Sequence, residues 1–145
     1  MRVCSRRMSN VPPEFAPLFR TSPFLDTVGP LFHRGKGAEL VLGFHVATKH
    51  TNARGMLHGG VLATVGDISL GYALATSSDP MGSFVTASLN IDFVGSASIG
   101  DWIESHVEIQ KIGSRLAFAN AYFQLGAQKI ARVSGVFAVM EPVKR

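Results

Sequence analysis

The longest apolar pattern in the chain runs from about His58 to Ser77. Its apolar residues cover nearly the whole circumference of a helix, and small residues such as Ala63 and Gly66 fill the rest. A helix that is apolar all round is typical of a buried one, so we predict a long central helix here. Asp67 is the only charged residue in this segment.

Strand-like patterns lie on both sides of that helix. The first of the later strands alternates cleanly, with apolar residues at odd positions from Val85 to Phe93 and polar residues at even positions from Thr86 to Asp92. Short glycine-containing separators favour hairpins between later strands. We therefore predict an α+β domain in which an antiparallel meander curves around the helix. The predicted strands cover 38–46, 84–94, 102–112, 116–125 and 129–140.

The N-terminal part of the chain does not show either period. Residues 1–13 are predicted to be a disordered tail, and residues 14–145 a single domain with its core at about 35–140. Between residues 11 and 30, prolines alternate with apolar residues such as Phe15 and Phe24. Because proline breaks helices, this leader is expected to form short helices and turns over an apolar surface.

Composition excludes several classes of protein. The 145 residues suit one domain, and 46% hydrophobic against 17% charged residues excludes general disorder. The net charge of +4 owes much to three arginines among the first seven residues, so a nucleic-acid partner is not expected. No apolar run reaches the ~18 residues of a membrane span. The apolar excess instead suggests an oligomer interface. A single cysteine, Cys4, excludes an internal disulfide and fits a cytoplasmic location.

The candidate chemistry begins with Asp67 and with His58-Gly59-Gly60. A carboxylate within an apolar helix is costly unless it is hydrogen-bonded, so Asp67 is either a solvent-facing or amide-bonded residue or a general base or nucleophile. Two glycines at a helix start can present bare N–H groups to a carbonyl oxygen that gains negative charge, although they can also simply allow close packing.

Helix geometry constrains how these groups could work together. Gly59 and Asp67 are eight residues apart, which is ~12 Å along a helix axis. An aspartate side chain cannot span that distance. If both groups serve one site, the carboxylate must come from a second copy of the helix, and two antiparallel helices across a twofold axis would then form two equal sites.

These residues resemble a known family. The pattern Asn52-x5-His58-Gly59-Gly60-x6-Asp67, followed by the strand over 84–93, is similar to the hotdog-fold acyl-CoA thioesterases, and most of all to the PaaI-like branch of the phenylacetate pathway. The Gly100-Asp101 turn and the stretch 111–118 are also similar to that branch. The resemblance covers roughly residues 35–140 and implies a hotdog fold, a curved antiparallel sheet around one long helix.

The resemblance also implies site roles. Asp67 would attack the thioester or activate water, and the Gly59 N–H of the partner subunit would polarise the thioester carbonyl. Asn52 would hold the water or the carbonyl region, although it is equally a good turn residue. Thr86 matches a hydroxyl that assists the nucleophilic water, but the alternation would place it on the polar face of its strand. His58 and Gly60 would complete the substrate-binding loop, with His58 fixing that loop.

Coenzyme A carries phosphates, so cations are expected at the mouth of such a site. Arg54, Lys111 and Arg115 are the candidates, although single surface cations are usually just solvated. No histidine shows metal-ligand spacing, so no metal is predicted. No cofactor is expected either, since coenzyme A is part of the substrate. A homodimer is implied as the smallest active unit, commonly within a homotetramer.

Three functions are considered. The first is hydrolysis of an acyl-CoA thioester to a free acid and coenzyme A. The alternative is a non-catalytic acyl-CoA-binding or regulatory hotdog module, which would have no need of a charge at Asp67. A hotdog hydratase ranks last. That family pairs an Asp and a His in one short motif, and this sequence shows no such pair. The acyl group is not determined, although apolar residues of the helix and of the Phe-rich leader are expected to shape its pocket.

Overall fold

The computed structural model describes residues 10–141, which contain seven β-strands and two α-helices. Cys4 and most of the predicted tail over 1–13 lie outside the described residues. Two short 3₁₀ helices cover Gly37–Glu39 and Thr48–His50. The strands are β1 (Ala16–Pro17), β2 (Phe32–Arg34), β3 (Val41–His45), β4 (Ser83–Phe93), β5 (Trp102–Ile112), β6 (Leu116–Leu125) and β7 (Gln128–Met140), and the helices are α1 (Pro23–Val28) and α2 (Gly59–Ala75).

Helix α2 confirms the long helix that the apolar pattern predicts. One face buries apolar side chains, including Leu62, Val65 and Leu70, against the sheet. The contact is close at Gly66, where a Cβ atom would lie 2.8 Å from a methyl group of Val133. The expectation of burial all round is wrong, because the opposite face, with Ile68 and Asp67, is only half-buried. That second face is the floor of the cleft described below.

The sheet is antiparallel, but it is not the predicted four-strand meander. Its order is β1-β2-β3-β5-β6-β7-β4, so of the four strands predicted to form the meander only β5, β6 and β7 follow one another as hairpins. One edge of β5 pairs with β3, and its other edge pairs with β6. No place is therefore left for β4 beside β5. Strand β4 therefore pairs with β7 at the far edge of the sheet. Local hairpin signals could not reveal this long-range exchange of neighbours.

A β-bulge at Ala87 breaks the alternation of β4. Thr86 pairs with Phe137 and Ser88 with the next residue, Val136, so Ala87 has no partner of its own. Because of this extra residue, the side chains before Ala87 lie on the opposite face of the sheet from the one that strict alternation predicts. Thr86 consequently lies on the helix-facing side, and Val85 is 52% exposed. The predicted polar-face location of Thr86 is wrong for this reason.

The leader extends the sheet and contacts helix α2 at Tyr72. Strand β2 was not predicted, and the predicted strand over 38–46 begins at Val41 because Gly37–Glu39 forms a 3₁₀ turn. Strand β1 pairs with β2, and a second small core forms from Phe15, Phe32 and Val41, with Val11 packed on it.

Neither helix within residues 10–141 has the length and apolar character that a membrane-spanning helix needs.

Candidate active site

Asp67 and Thr86 form the polar centre of the site. The Thr86 hydroxyl donates a hydrogen bond of 2.6 Å to Oδ1 of Asp67. Helix α2 supplies the carboxylate from its half-buried face, and the bulge at Ala87 turns the hydroxyl towards it. This short hydrogen bond holds the side chain of Asp67 in one orientation. The second carboxylate oxygen, Oδ2, has no hydrogen-bond partner among residues 10–141.

This pair lies in an open cleft of about 520 Å³. Its floor is the half-buried face of α2, including Ile68 and Tyr72 as well as Asp67. One wall is β4 and the other is the start of α1, so the leader takes part in the site. The β4 wall is formed by Thr86 and Leu89, and the α1 wall by Ser22, Phe24 and Leu25.

The start of α2 forms a second polar group. His58 is the N-cap, and its Nδ1 accepts the Gly60 N–H at 2.8 Å. The Gly59 N–H has no acceptor among the described residues. The ring of Phe93 covers Gly59 so closely that a Cβ there would lie 2.8 Å from the ring. The His58 ring thus satisfies one of the two glycine N–H groups that the sequence offers, and the other points out of the helix end, where the dipole is positive.

Asn52 closes the loop before this helix. Its Oδ1 accepts the backbone N–H groups of Arg54 at 2.9 Å and of Met56 at 3.2 Å. These bonds are those of a turn residue, as one of the two interpretations of the sequence expects. The amide nitrogen of Asn52 is the group left to donate to a ligand, and the residue is exposed.

The three candidate phosphate-binding cations lie outside the cleft. Arg54 is exposed in the loop before α2, and Lys111 and Arg115 are exposed on either side of the β5–β6 turn. None of the three lines the cleft around Asp67. Their role in binding coenzyme A stays a prediction.

His50 is a structural residue of the site that no sequence pattern indicates. It is buried, its Nδ1 accepts the Ala47 N–H at 2.9 Å, and its Nε2 donates to the carbonyl of Val28 at the end of α1. Its own carbonyl accepts the N–H of His58 at 2.8 Å. One residue therefore ties the leader to the N-cap of α2. Nothing in its sequence context distinguishes it from His33, His45 and His106.

Burial lowers the pKa of His50 from its ordinary value of 6.5. The neutral ring is favoured in the folded state, so its contribution to stability is complete above pH 6.5 and is lost as the pH falls below that value. We expect the free energy of unfolding to fall towards pH 5, by up to ~1.4 kcal/mol per pH unit. Urea unfolding of wild type and His50→Gln between pH 5 and 8 measures this. The variant should be the less stable at pH 7.5, and the difference in the free energy of unfolding between the two proteins should become smaller towards pH 5. A difference that does not change with pH would contradict the structural role of neutral His50.

The structure thus brings the predicted residues together in two groups rather than one. Asp67 and Thr86 form the first, and His58, Gly59 and Gly60 form the second, with Asn52 in the loop that precedes them. The two groups are ~12 Å apart along α2, because eight residues separate Gly59 from Asp67. Within one chain, a carbonyl oxygen held at Gly59 would be out of reach of Asp67.

Comparison with known proteins agrees with this architecture. The family model of the Thioesterase superfamily matches residues 54–123. A Pseudomonas aeruginosa protein named "Putative esterase PA0474" is 47% identical over 131 residues, which cover 90% of this chain and 98% of the relative. Mouse acyl-coenzyme A thioesterase 13 is 37% identical over 83 residues, covering 57% of this chain and 58% of that protein. The structure of the phenylacetic acid degradation protein PaaI from Thermus thermophilus is similar in fold, with a TM-score of 0.74 and 22% identity over 82% of this chain and all of that one.

The chain belongs to the thioesterase superfamily, and it is a thioester hydrolase. The hotdog fold implied by the sequence resemblance is confirmed, and so is the structural likeness to PaaI. The fold places one carboxylate, held by one hydroxyl, at the floor of an apolar cleft.

Proposed function

We propose that the protein hydrolyses acyl-CoA thioesters to a free acid and coenzyme A, in sites shared between two copies of the chain. The observation that supports this most directly is the 2.6 Å hydrogen bond from Thr86 to Asp67 in a cleft with apolar walls. The similarity to acyl-coenzyme A thioesterase 13 supports the choice of coenzyme A as the thiol part of the substrate.

The edge strand β4 supports a dimer. It is 11 residues long and hydrogen-bonds to another strand, β7, on one side only within residues 10–141. Its apolar side chains are unusually open to solvent, with Val85 52% and Phe93 53% exposed, and Val94 just beyond it is 70% exposed. A long unprotected edge with exposed apolar residues readily pairs with another strand. A second β4 running antiparallel across a twofold axis would cover it.

That pairing would also complete the site. Thr86 near one end of β4 contacts Asp67, and Phe93 at the other end covers Gly59. When two such strands pair antiparallel, the Thr86 end of each meets the Phe93 end of the other. Asp67 of one copy then faces the Gly59 N–H of the second copy. The single-chain separation of ~12 Å therefore favours a shared site. A tetramer of two such dimers remains a prediction, which analytical ultracentrifugation would test.

In the proposed mechanism Asp67 is a general base. Thr86 holds Oδ1, and Oδ2 takes a proton from water as the water oxygen bonds to the thioester carbon. The carbonyl oxygen gains negative charge, which the Gly59 N–H and the positive end of the partner helix stabilise. The C–S bond then breaks, and the coenzyme A thiolate takes up the proton. Direct attack by Asp67 would instead form an anhydride between Asp67 and the acyl group and release the thiolate. Water attack at the Asp67 carbonyl of that anhydride would place ¹⁸O from labelled water in the Asp67 side chain in a single turnover, whereas the general-base route places it in the product acid.

Neither a metal nor an organic cofactor is required by this chemistry. The attacking group is water, and the electrophile is already activated as a thioester. Arg54, Lys111 and Arg115 stay as proposed phosphate contacts, and the amide nitrogen of Asn52 as a proposed donor to the water or carbonyl.

Thiol release from a panel of acyl-CoA esters tests the proposed function. Purified protein should release coenzyme A from phenylacetyl-CoA or octanoyl-CoA in the presence of a thiol reagent, with no added metal and with a chelator present. The non-catalytic alternative predicts a different result. Such a module would bind the esters in calorimetry without releasing thiol, and that outcome would overturn the proposal.

A further inference from the structure

The leader helix α1 forms a wall of the catalytic cleft. Ser22 is its N-cap and accepts the Leu25 N–H at 3.2 Å, and the buried Leu25 fixes the helix in the main core. Next to this segment, the hydroxyl of Tyr72 donates to the carbonyl of Arg20 at 3.4 Å, and the ring of Phe19 packs on Tyr72 at 5.3 Å between centroids. The leader is therefore attached to α2 beside the cleft.

Phe24 differs from its neighbours on this helix. Its side chain is 61% exposed, whereas Leu25 is 6% exposed and belongs to the core. Phe24 lines the same cleft as Asp67, and it lies on the wall opposite Thr86 and Leu89. Fixed by its backbone and open at its side chain, this aromatic ring is available to contact whatever enters the cleft.

The chemistry of the lining indicates the kind of acyl group. Apart from Asp67, no charged side chain lines the cleft, and no Lys, Arg or His among residues 10–141 does so. An acyl group that ends in a carboxylate would meet the charge of Asp67 without a cation to compensate it. Apolar side chains from α1, α2 and β4 surround the remaining space, which suits a hydrocarbon or aryl group.

We propose that Phe24 is a specificity-determining residue that packs against an apolar acyl group larger than acetyl. This inference rests on the proposed acyl-CoA thioesterase function. The α1 wall would contact the acyl group in both the ground state and the transition state. Such uniform binding lowers KM and leaves kcat nearly unchanged. Removal of the Phe24 ring should therefore raise KM for the larger esters.

The test compares kcat and KM for acetyl-, octanoyl-, phenylacetyl- and succinyl-CoA. Wild type should prefer the octanoyl and phenylacetyl esters and should hydrolyse succinyl-CoA poorly. In Phe24→Ala, KM for octanoyl-CoA should rise about tenfold, the order of effect of lost apolar pocket contacts, while the values for acetyl-CoA stay within about twofold. Phe24→Leu should restore most of the octanoyl preference.

Met81→Ala is the matched control, because it also removes a partly exposed apolar side chain, but one that does not line the cleft. Its ester profile should equal that of wild type. An unchanged profile in Phe24→Ala, or an equal shift in Met81→Ala, would overturn the role of Phe24 while leaving the thioesterase function intact. If wild type releases thiol from none of the esters, the proposed function itself fails, and this inference fails with it.

Discussion

Asp67→Asn is expected to lower kcat by at least ~100-fold, the lower range for removing a general base. The amide has the same size as the carboxylate and can still accept the Thr86 hydroxyl through its oxygen, so the local packing should persist. It cannot accept the proton from water. Initial rates of thiol release from octanoyl-CoA at pH 7.5, with Tm measured for both proteins, provide the comparison. Equal kcat in the two would remove Asp67 from the mechanism.

Substitutions at Thr86 separate the hydroxyl from the shape of the side chain. Thr86→Val keeps the branched side chain but removes the hydrogen bond to a charged acceptor, a bond typically worth about 1.5–3 kcal/mol. A tenfold or greater loss in kcat is therefore expected, with little change in Tm because the residue is exposed. Thr86→Ser retains the hydroxyl and should keep most of the activity. Similar rates in the Val and Ser variants would show that the bond to Asp67 is dispensable.

Gly59→Pro is expected to reduce kcat by ~10²–10³-fold, as the loss of one oxyanion-hole donor does. Proline has no N–H, and Gly59 is the first residue of α2, where proline is well tolerated. His58 before it has φ −73° and ψ 133°, an extended conformation that suits a residue preceding proline. The substitution thus removes the proposed donor without removing any hydrogen bond within residues 10–141.

Gly59→Ala is the control for this variant. It adds the same Cβ atom against the ring of Phe93 but keeps the N–H, so any loss shared by the two variants measures the displaced ring and not the donor. The difference between proline and alanine should be at least ~10-fold if the N–H stabilises the oxyanion. Equal kcat in the two variants would contradict the assignment.

Mixed dimers test whether the site is shared. A heterodimer of Asp67→Asn and Gly59→Pro chains contains one site with both defects and one with neither. Once subunit exchange is shown, each heterodimer should have up to half of the activity of a wild-type dimer, because one of its two sites is intact. If each site instead used groups of one chain alone, every site would carry one defect, and mixing would restore nothing.

Much of the fold could be predicted because its signals are local. The helix over 58–77 and the strands over 102–112 and 116–125 agree with α2, β5 and β6 within a few residues, since periodicity and glycine turns act over short distances. The Asp67 and Gly59 candidates came from similarly local features, a lone charge in an apolar helix and two glycines at its start. The strand order was wrong, because the choice of neighbours depends on long-range pairing.

By itself, the sequence determined the central helix, the strands from β3 to β7 and the residues on the helix that are able to do chemistry. The tertiary structure alone decided that Thr86 contacts Asp67, because the unpaired residue Ala87 places the Thr86 side chain on the helix-facing side of β4. It also decided that β4 lies at an open edge and that Phe24 lines the cleft. These features arise where segments distant in sequence meet, and side-chain periodicity within a segment does not determine which segments become neighbours.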